Sequence, residues 1–237
     1  TAFSSRIMKE ECLDLPEKTF STLYIDLTPE QRDAYDSMRD LCVMGFGDGV
    51  VTVTSALTAI TKLHQIACGH CIDDAGNMIR LPNNRLSALL ETIEEVSGKI
   101  IVWCNFQQDV RDVRDALANA YGDDSAVTYY GGTSNDDRAT AHSRFNKDAT
   151  CRFLVASSAA SKGLTLVSSH YNIYYSHSYN LENYLQSQDR THRIGQVHNV
   201  HYLSVVARDT IDEKIVQALQ AKKNIADMVM TNWREIL

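Results

Sequence analysis

The chain has 237 residues, of which 44% are hydrophobic and 22% charged. That length supports one large domain or two small ones with a real core, and the composition excludes a disordered or fibrous protein. A formal charge of −7 leaves no general basic field, so any contact with nucleic acid has to rest on a local patch and on backbone amides.

Only 3 prolines and 11 glycines argue against linkers and low complexity, and no internal repeat is visible. Six cysteines (Cys12, Cys42, Cys68, Cys71, Cys104, Cys151) are scattered, mostly in apolar stretches. With no signal peptide, they suit a reducing compartment rather than a disulfide framework. No apolar run approaches the length of a membrane span. The chain starts at Thr1 rather than Met, as a fragment would.

Residues 1–16 read as a polar lead-in. Lys18–Leu27 has strand composition, with β-branched and aromatic side chains. Thr28-Pro29-Glu30-Gln31 is a helix start, with Thr28 as N-cap, Pro29 at the first helical position and Gln31 closing a capping box. The pattern carries this helix through Tyr35 and Met38 to about Met44, where Gly45-Phe-Gly-Asp-Gly49 ends it. A second helix covers Thr54 to Ala67, and Asp73-Asp-Ala-Gly-Asn77 is turn chemistry.

From Asn83 the rhythm changes. Helical patterns at Arg85–Val96, Gln107–Tyr121, Ser134–Phe145 and Leu181–His192 alternate with short apolar runs. These runs are Lys99–Cys104, Ala126–Tyr130, Arg152–Ala156, Tyr171–Tyr175 and Val200–Val206. Strands alternating with helices predict βαβ units around a parallel sheet. Continuous apolar strands predict that both sheet faces are covered, and ligands of such sheets sit at the carboxyl ends of the strands. A last amphipathic helix, Thr210–Met230, starts at Asp209-Thr-Ile-Asp-Glu. The expected division is a lead-in strand and helical segment over 1–82, an α/β core over 83–207, and a C-terminal helix packed on it over 208–237.

The densest chemistry lies in Gln186-Ser187-Gln188-Asp189-Arg190-Thr191-His192-Arg193-Ile194-Gly195-Gln196. Arg190 and Arg193 are three apart and share a helical face, and Gly195 stands where a C-cap is expected. Two fixed guanidinium forks suit the oxygens of a phosphate. They equally suit a solvated helix end pairing with carboxylates. The string resembles motif VI of superfamily 2 helicases in its SWI/SNF-type form, Gln-x-x-Asp-Arg-x-His-Arg-Ile-Gly-Gln.

Other stretches extend that resemblance. Lys99-Ile-Ile-Val-Trp-Cys-Asn-Phe106 is similar to motif IV, whose strand end and following helix N-terminus face a DNA phosphate; core packing is the other reading for Phe106. Tyr130-Gly131-Gly132-Thr133-Ser134, with Arg138 and Arg144-Phe145-Asn146, resembles an Asp-Gly-x-Thr-Ser…Arg…Phe-Asn pattern, with Tyr130 in place of the Asp. Physically it is a tight turn feeding a helix capped by Thr133 or Ser134. Phe153 to Leu166 resembles motif V, with Ser158, Ala160, Ser161 and Thr165 where many relatives carry Arg, Gly, Gly and Asn. Its small residues permit close approach to a phosphate, and Ser157 and Ser158 can donate hydroxyls. It also reads as a plain strand-to-helix turn with incidental serines. This form is closer to the shorter bacterial and phage members.

The resemblance implies an α/β fold: a RecA-like parallel sheet flanked by helices, the second lobe of a P-loop NTPase fold, with an N-terminal helical extension. It implies Arg190 and Arg193 as arginine fingers on the γ-phosphate of ATP, Gln186 facing the cleft, Asp189 orienting the arginines and Gly163 beside the nucleotide. It implies DNA contacts, to duplex backbone, at Asn105, Phe106, Thr133, Ser157 and Ser158.

No Gly-x-x-x-x-Gly-Lys-Ser/Thr loop and no Asp-Glu-x-His box occurs in the chain. ATP with Mg²⁺ is therefore expected to be held mainly by a first RecA-like lobe of the same polypeptide. The isolated chain is expected to be inactive and monomeric, cytoplasmic in a bacterial or phage-infected cell and nuclear in a eukaryote. The competing expectation is a non-catalytic α/β binding module with a degenerate motor fold. His64, Cys68, His70 and Cys71 are zinc-type ligands, but the first two lie in an apolar helical pattern and the last two are adjacent, so no metal site is expected.

Overall fold

Four-residue runs of uninterrupted apolar side chains can be buried on both faces only inside a covered sheet, and the chain uses them that way. The computed structural model describes residues 15–41, 43–46, 49–53, 55–161 and 163–222. Six parallel strands form the main sheet: β1 (Lys18–Ile25), β6 (Ile100–Trp103), β7 (Ala126–Tyr129), β8 (Phe153–Ala156), β9 (Tyr171–Tyr174) and β10 (Val200–Ala207). Their spatial order is β1-β10-β9-β6-β8-β7. Central β6 pairs with β8 (Ile100 opposite Phe153) and with β9 (Ile100 opposite Tyr171).

Alternation along β6 divides the core. Ile101 and Trp103 join one apolar cluster with Leu154, Tyr174 and Phe145, whereas Ile100 and Val102 join another with Val155, Leu89 and Val113. Period-2 side chains therefore feed both layers. Helices α1 (Pro29–Leu41), α2 (Ala56–Ala67), α5 (Asn135–Lys147) and α7 (Ile211–Gln220) supply the first cluster, and α3 (Arg85–Glu94) and α4 (Gln107–Tyr121) the second. The remaining helix, α6 (Leu181–Thr191), packs on the first side through Tyr184.

Edge strand β1 comes from the lead-in, so the sheet draws on residues on both sides of position 82. Its register against β10 is pinned by His201, whose two ring nitrogens meet the hydroxyls of Thr19 and Ser21, each at 2.8 Å. The capping box at α1 forms in both directions: Gln31 N–H donates to Thr28 Oγ1 and Thr28 N–H to Gln31 Oε1, each at 3.2 Å.

The expected run of α1 to Met44 is corrected. The helix stops at Leu41, and Val43–Phe46 (β2) pairs antiparallel with Gly49–Thr52 (β3). Gly45 weakens a helix there, and the hairpin buries Met44 and Val51 fully. A second hairpin, β4 (His70–Ile72) with β5 (Met78–Arg80), flanks the predicted Asp73–Asn77 turn. Helix α2 starts at Ala56 with Ser55 as its N-cap; Thr54, the expected start, lies outside the described residues. Helix α7 covers Ile211–Gln220, and the expected stretch beyond 222 also lies outside them. So do Cys12, Cys42 and Lys162.

Candidate functional site

Helix α6 opens on Asn180, whose side chain accepts the Asn183 N–H at 3.1 Å. It closes at His192, not at Gly195 as expected; Gly195 instead takes a left-handed φ of 99° in the following loop. Arg193 therefore lies one residue past the cap and two past the last helical residue, yet its guanidinium still meets that of Arg190. Both donate to the carbonyl of Leu164, each at 3.3 Å, and Arg193 also donates to Thr165 Oγ1 at 3.0 Å. Arg190 Nε returns to the Gln186 carbonyl at 3.1 Å, and Leu166 N–H donates to the Arg190 carbonyl at 3.0 Å. The end of α6 and the loop after β8 are thus tied together, with two half-buried cations between them.

Gly163 begins that tied loop. Its φ is +77°, and a Cβ there would meet nothing within 4 Å, so the backbone faces open space beside the two arginines. Gln186 donates to Glu182 Oε1 at 2.7 Å, while its own Oε1 is buried without a hydrogen-bond donor. Asp189 is half-buried, and its charge adds to the burial that raises the Tyr202 phenol. Two guanidinium groups thus meet on the Leu164 carbonyl, next in the chain to an exposed glycine backbone.

The remaining sequence-picked residues gather at the carboxyl edge of the sheet. Asn105 and Phe106 follow β6, Ser157 and Ser158 follow β8, and Thr133 lies in the turn after β7. Thr133 Oγ1 donates to the Tyr130 carbonyl at 2.7 Å and accepts its N–H at 3.2 Å, so this hydroxyl ties the turn together. The cap of α5 is Ser134, which accepts Asp137 N–H at 3.1 Å. Ser157 Oγ accepts the Ala159 N–H at 3.3 Å, and Ser158 is exposed. Phe106 is half-buried, edge-on to His64 (4.9 Å) and His70 (5.4 Å). Between Ser158, Ser176, Asn183 and Ser187 lies a cavity of about 20 Å³, the size of one water.

A buried polar network behind this edge escaped the sequence reading. Arg85, the first residue of α3, is fully buried and donates to the carbonyls of Tyr175 (2.6 Å) and Val205 (2.8 Å) and to the carboxylate of Asp212. Burial pulls its guanidinium down, but Asp212 outweighs this and holds it above its ordinary value. Burial pushes Asp212 up, and Arg85 followed by His64 outweighs that, so its carboxyl stays below the usual range. His64 Nδ1 meets the Tyr179 hydroxyl at 2.7 Å.

Asp109 accepts Ser176 Oγ–H at 2.5 Å, and its other oxygen stands 3.4 Å from His70 Nδ1 without hydrogen-bond alignment. Desolvation lifts Asp109 to about 7 and lowers His64 and His70 to about 4 and His177 to about 3. The His70–Asp109 contact is therefore not a charged pair near neutrality. In sequence, Arg85 looks like an ordinary exposed helix start. The one available signal was the acidic run Asp209-Thr-Ile-Asp-Glu beside an apolar helix. Cys68, Cys71, Cys104 and Cys151 are free, buried thiols, and among the described residues no group of three His, Cys, Asp or Glu could hold a metal.

Residues 84–195 match the helicase conserved C-terminal domain model. The chain is 25% identical over 245 residues to the putative ATP-dependent helicase/translocase YwqA of Bacillus subtilis (strain 168), covering 95% of this chain and 25% of that protein. It thus spans about a quarter of that relative's length. The fold resembles the C-terminal part of the Fun30 ATPase domain (TM-score 0.71, 17% identity, 94% of this chain and all of that one). It also resembles the Sulfolobus solfataricus SWI2/SNF2 ATPase core in complex with dsDNA (TM-score 0.66, 24% identity, 95% of this chain and 49% of that one). The six-stranded parallel sheet flanked by helices matches the RecA-like C-terminal lobe of SNF2 ATPases.

Proposed function

We propose that this chain, which carries a helicase conserved C-terminal domain and is homologous to SNF2-family helicases, is the second motor lobe of an ATP-dependent DNA translocase. The observation that carries this reading is the meeting of Arg190 and Arg193 on the Leu164 carbonyl beside the open backbone of Gly163. Two cations held by a weak carbonyl contact can be transferred to a stronger acceptor, the γ-phosphate of ATP bound mainly by a first lobe of the same polypeptide. Phosphoryl transfer needs mostly positioning and charge stabilisation, and arginine fingers contribute about 10³–10⁵ in rate in other NTPases. Gln186 would face the nucleotide from one turn earlier on α6, and Asp189 would orient the arginines. Mg²⁺ would come with ATP and the first lobe, and this chain would bind no metal of its own.

The carboxyl edge would face duplex DNA through Asn105, Phe106, Thr133, Ser157 and Ser158, in keeping with a similar core solved with dsDNA. With a charge of −7, such contact depends on local donors and on the first-turn amides of α4 rather than on a global field. Thr133, whose hydroxyl and N–H both donate to the Tyr130 carbonyl, would act by shaping the turn that faces DNA. Lobe closure over ATP would step these contacts along the duplex, without requiring the strands to separate. The isolated lobe would be a monomer, in the cytoplasm of a bacterial or phage-infected cell or the nucleus of a eukaryotic one.

A non-catalytic binding module is the second reading, favoured by the same Leu164 contacts if they serve only to clamp a loop. One comparison separates the two: ATP turnover of the isolated chain, and of the chain joined to its first lobe, with and without duplex DNA. The motor reading expects negligible turnover and weak duplex binding from the isolated chain, and DNA-stimulated turnover from the joined one. Robust turnover by the isolated chain would refute the divided active site, and an inactive joined protein would leave the binding module.

A further inference from the structure

The turn between β6 and α4 is held from behind by a hydroxyl and a carboxylate. Asn105 N–H donates to Ser176 Oγ at 2.7 Å, and that hydroxyl donates in turn to Asp109 Oδ2 at 2.5 Å. The same Oδ2 accepts the Phe106 N–H at 3.4 Å, the backward half of a capping box. Phenylalanine has no acceptor for the forward half, so this turn depends on Ser176 for its second anchor. Ser176 and Asp109 are 3% and 1% exposed, which removes water as a competitor. Strand pairing continues the restraint: Tyr175 N–H donates to the Trp103 carbonyl at 2.9 Å.

The consequence is directional. Both amides of the turn point inward, so neither is available to a ligand. The N–H groups of the first turn of α4, from Gln107 onward, have no partners within the helix, and the Asn105 side chain is left half-exposed beside them. The Phe106 ring, set edge-on between His64 and His70, fixes the turn from the other side. Ser176 also begins the short stretch that runs through Tyr179 to Asn180, the cap of the arginine-bearing helix α6. One anchor therefore ties the turn to the segment leading into that helix.

We propose that Ser176 and Asp109 are positioning residues for DNA binding: they turn the Asn105 and Phe106 amides inward and thereby present the Asn105 side chain and the free first-turn amides of α4 to a DNA phosphate. This rests on the reading of residues 105–106 as DNA-facing. Neither residue touches the DNA. Losing the Ser176 hydroxyl frees the Asn105 amide and loosens the aim of the turn while leaving the α4 amides in place.

The test uses the chain joined to its first lobe, with amide hydrogen exchange across residues 104–108, Kd for a duplex oligonucleotide and KM for ATP. In Ser176→Ala, exchange at Asn105 and Phe106 speeds up without DNA, and duplex Kd weakens about tenfold, the scale of one hydrogen bond. The change falls on duplex Kd rather than on KM for ATP, and Ser176→Thr, which keeps the hydroxyl, restores it. Asp109→Asn, which keeps one carbonyl acceptor, gives a weaker change in the same direction and serves if Ser176→Ala does not fold. Wild-type duplex affinity in Ser176→Ala overturns the proposal, with or without faster exchange. Failure of duplex DNA to protect residues 104–108 in the wild-type protein is a separate result, and it overturns the DNA-facing reading instead.

Discussion

Lowering the pH from 7 to 4.5 should remove much of this chain's stability through three buried histidines. His64, His70 and His177 are buried and lowered by desolvation to about 4, 4 and 3, against 6.5 when exposed. Between pH 6.5 and about 4 the unfolded chain binds protons at these three sites and the folded chain does not, so stability rises with pH across that window. Asp109 acts in the opposite sense. Its folded value of about 7 lies above its ordinary 3.8, so the folded chain carries an extra proton there and gains stability as pH falls from 7. The net is about two protons taken up on unfolding, or about 2.7 kcal/mol lost per pH unit below 6.5. Set against a total of about 5–15 kcal/mol, two units consume much of the margin. The half-buried His170 and His201 push weakly in the same direction as the other histidines. Buried Asp212, held below 3.8, joins only in stronger acid. Urea unfolding followed by the fluorescence of buried Trp103 at pH 7.5, 6.5, 5.5 and 4.5 reads this slope. His177→Phe keeps the stack on Tyr174 and should remove about 1.4 kcal/mol per pH unit from it. A flat profile from pH 7 to 5 would refute the argument.

Three further outcomes are expected. Arg85→Met strips the guanidinium from buried Asp212 and should cost about 3–5 kcal/mol in urea unfolding, most of it regained in Arg85→Met/Asp212→Leu; a loss under about 1 kcal/mol would contradict the network. Gly163→Ala forces a left-handed φ on alanine, at about 1–3 kcal/mol, and open space around the Cβ predicts no clash beyond that, so a larger loss would show the site to be filled. Metal analysis of the purified protein should return no stoichiometric zinc, because His64 and His70 face Tyr179 and Asp109. Stoichiometric zinc would reverse that reading.

The β/α alternation after Asn83 was legible because each apolar run is short, continuous and bounded by turn residues; Gln107–Tyr121 appears as a helix over that same range. The stretch after Leu41 was not. Val43-Met-Gly-Phe and Gly-Val-Val-Thr are four-residue segments too short to show a period, and Tyr35 and Met38 just before them carry a true helical one. The arginine pair was visible as residue types and spacing, but its partner was a backbone carbonyl 26 residues upstream of Arg190, which no local pattern encodes. Arg85, Asp109 and Ser176 were invisible for a related reason. Charged and hydroxyl side chains are usually exposed, and only the tertiary fold shows that these three are buried, with Arg85 bonded to Asp212 and Ser176 to Asp109.

The central claim is that Arg190 and Arg193 complete an active site whose phosphate cradle lies on another lobe. Its most direct test is Arg193→Ala in the two-lobed protein, measuring DNA-stimulated ATP turnover and ATP binding together. Arg193 is half-buried and its side chain bonds Leu164 O and Thr165 Oγ1, while its backbone bonds to Thr191 and Gln196 survive truncation, so its loss should leave the fold largely intact. Turnover should fall about 10³-fold or more, with ATP affinity close to that of the unaltered protein. Turnover that survives the substitution, or that falls only because ATP no longer binds, would contradict the claim.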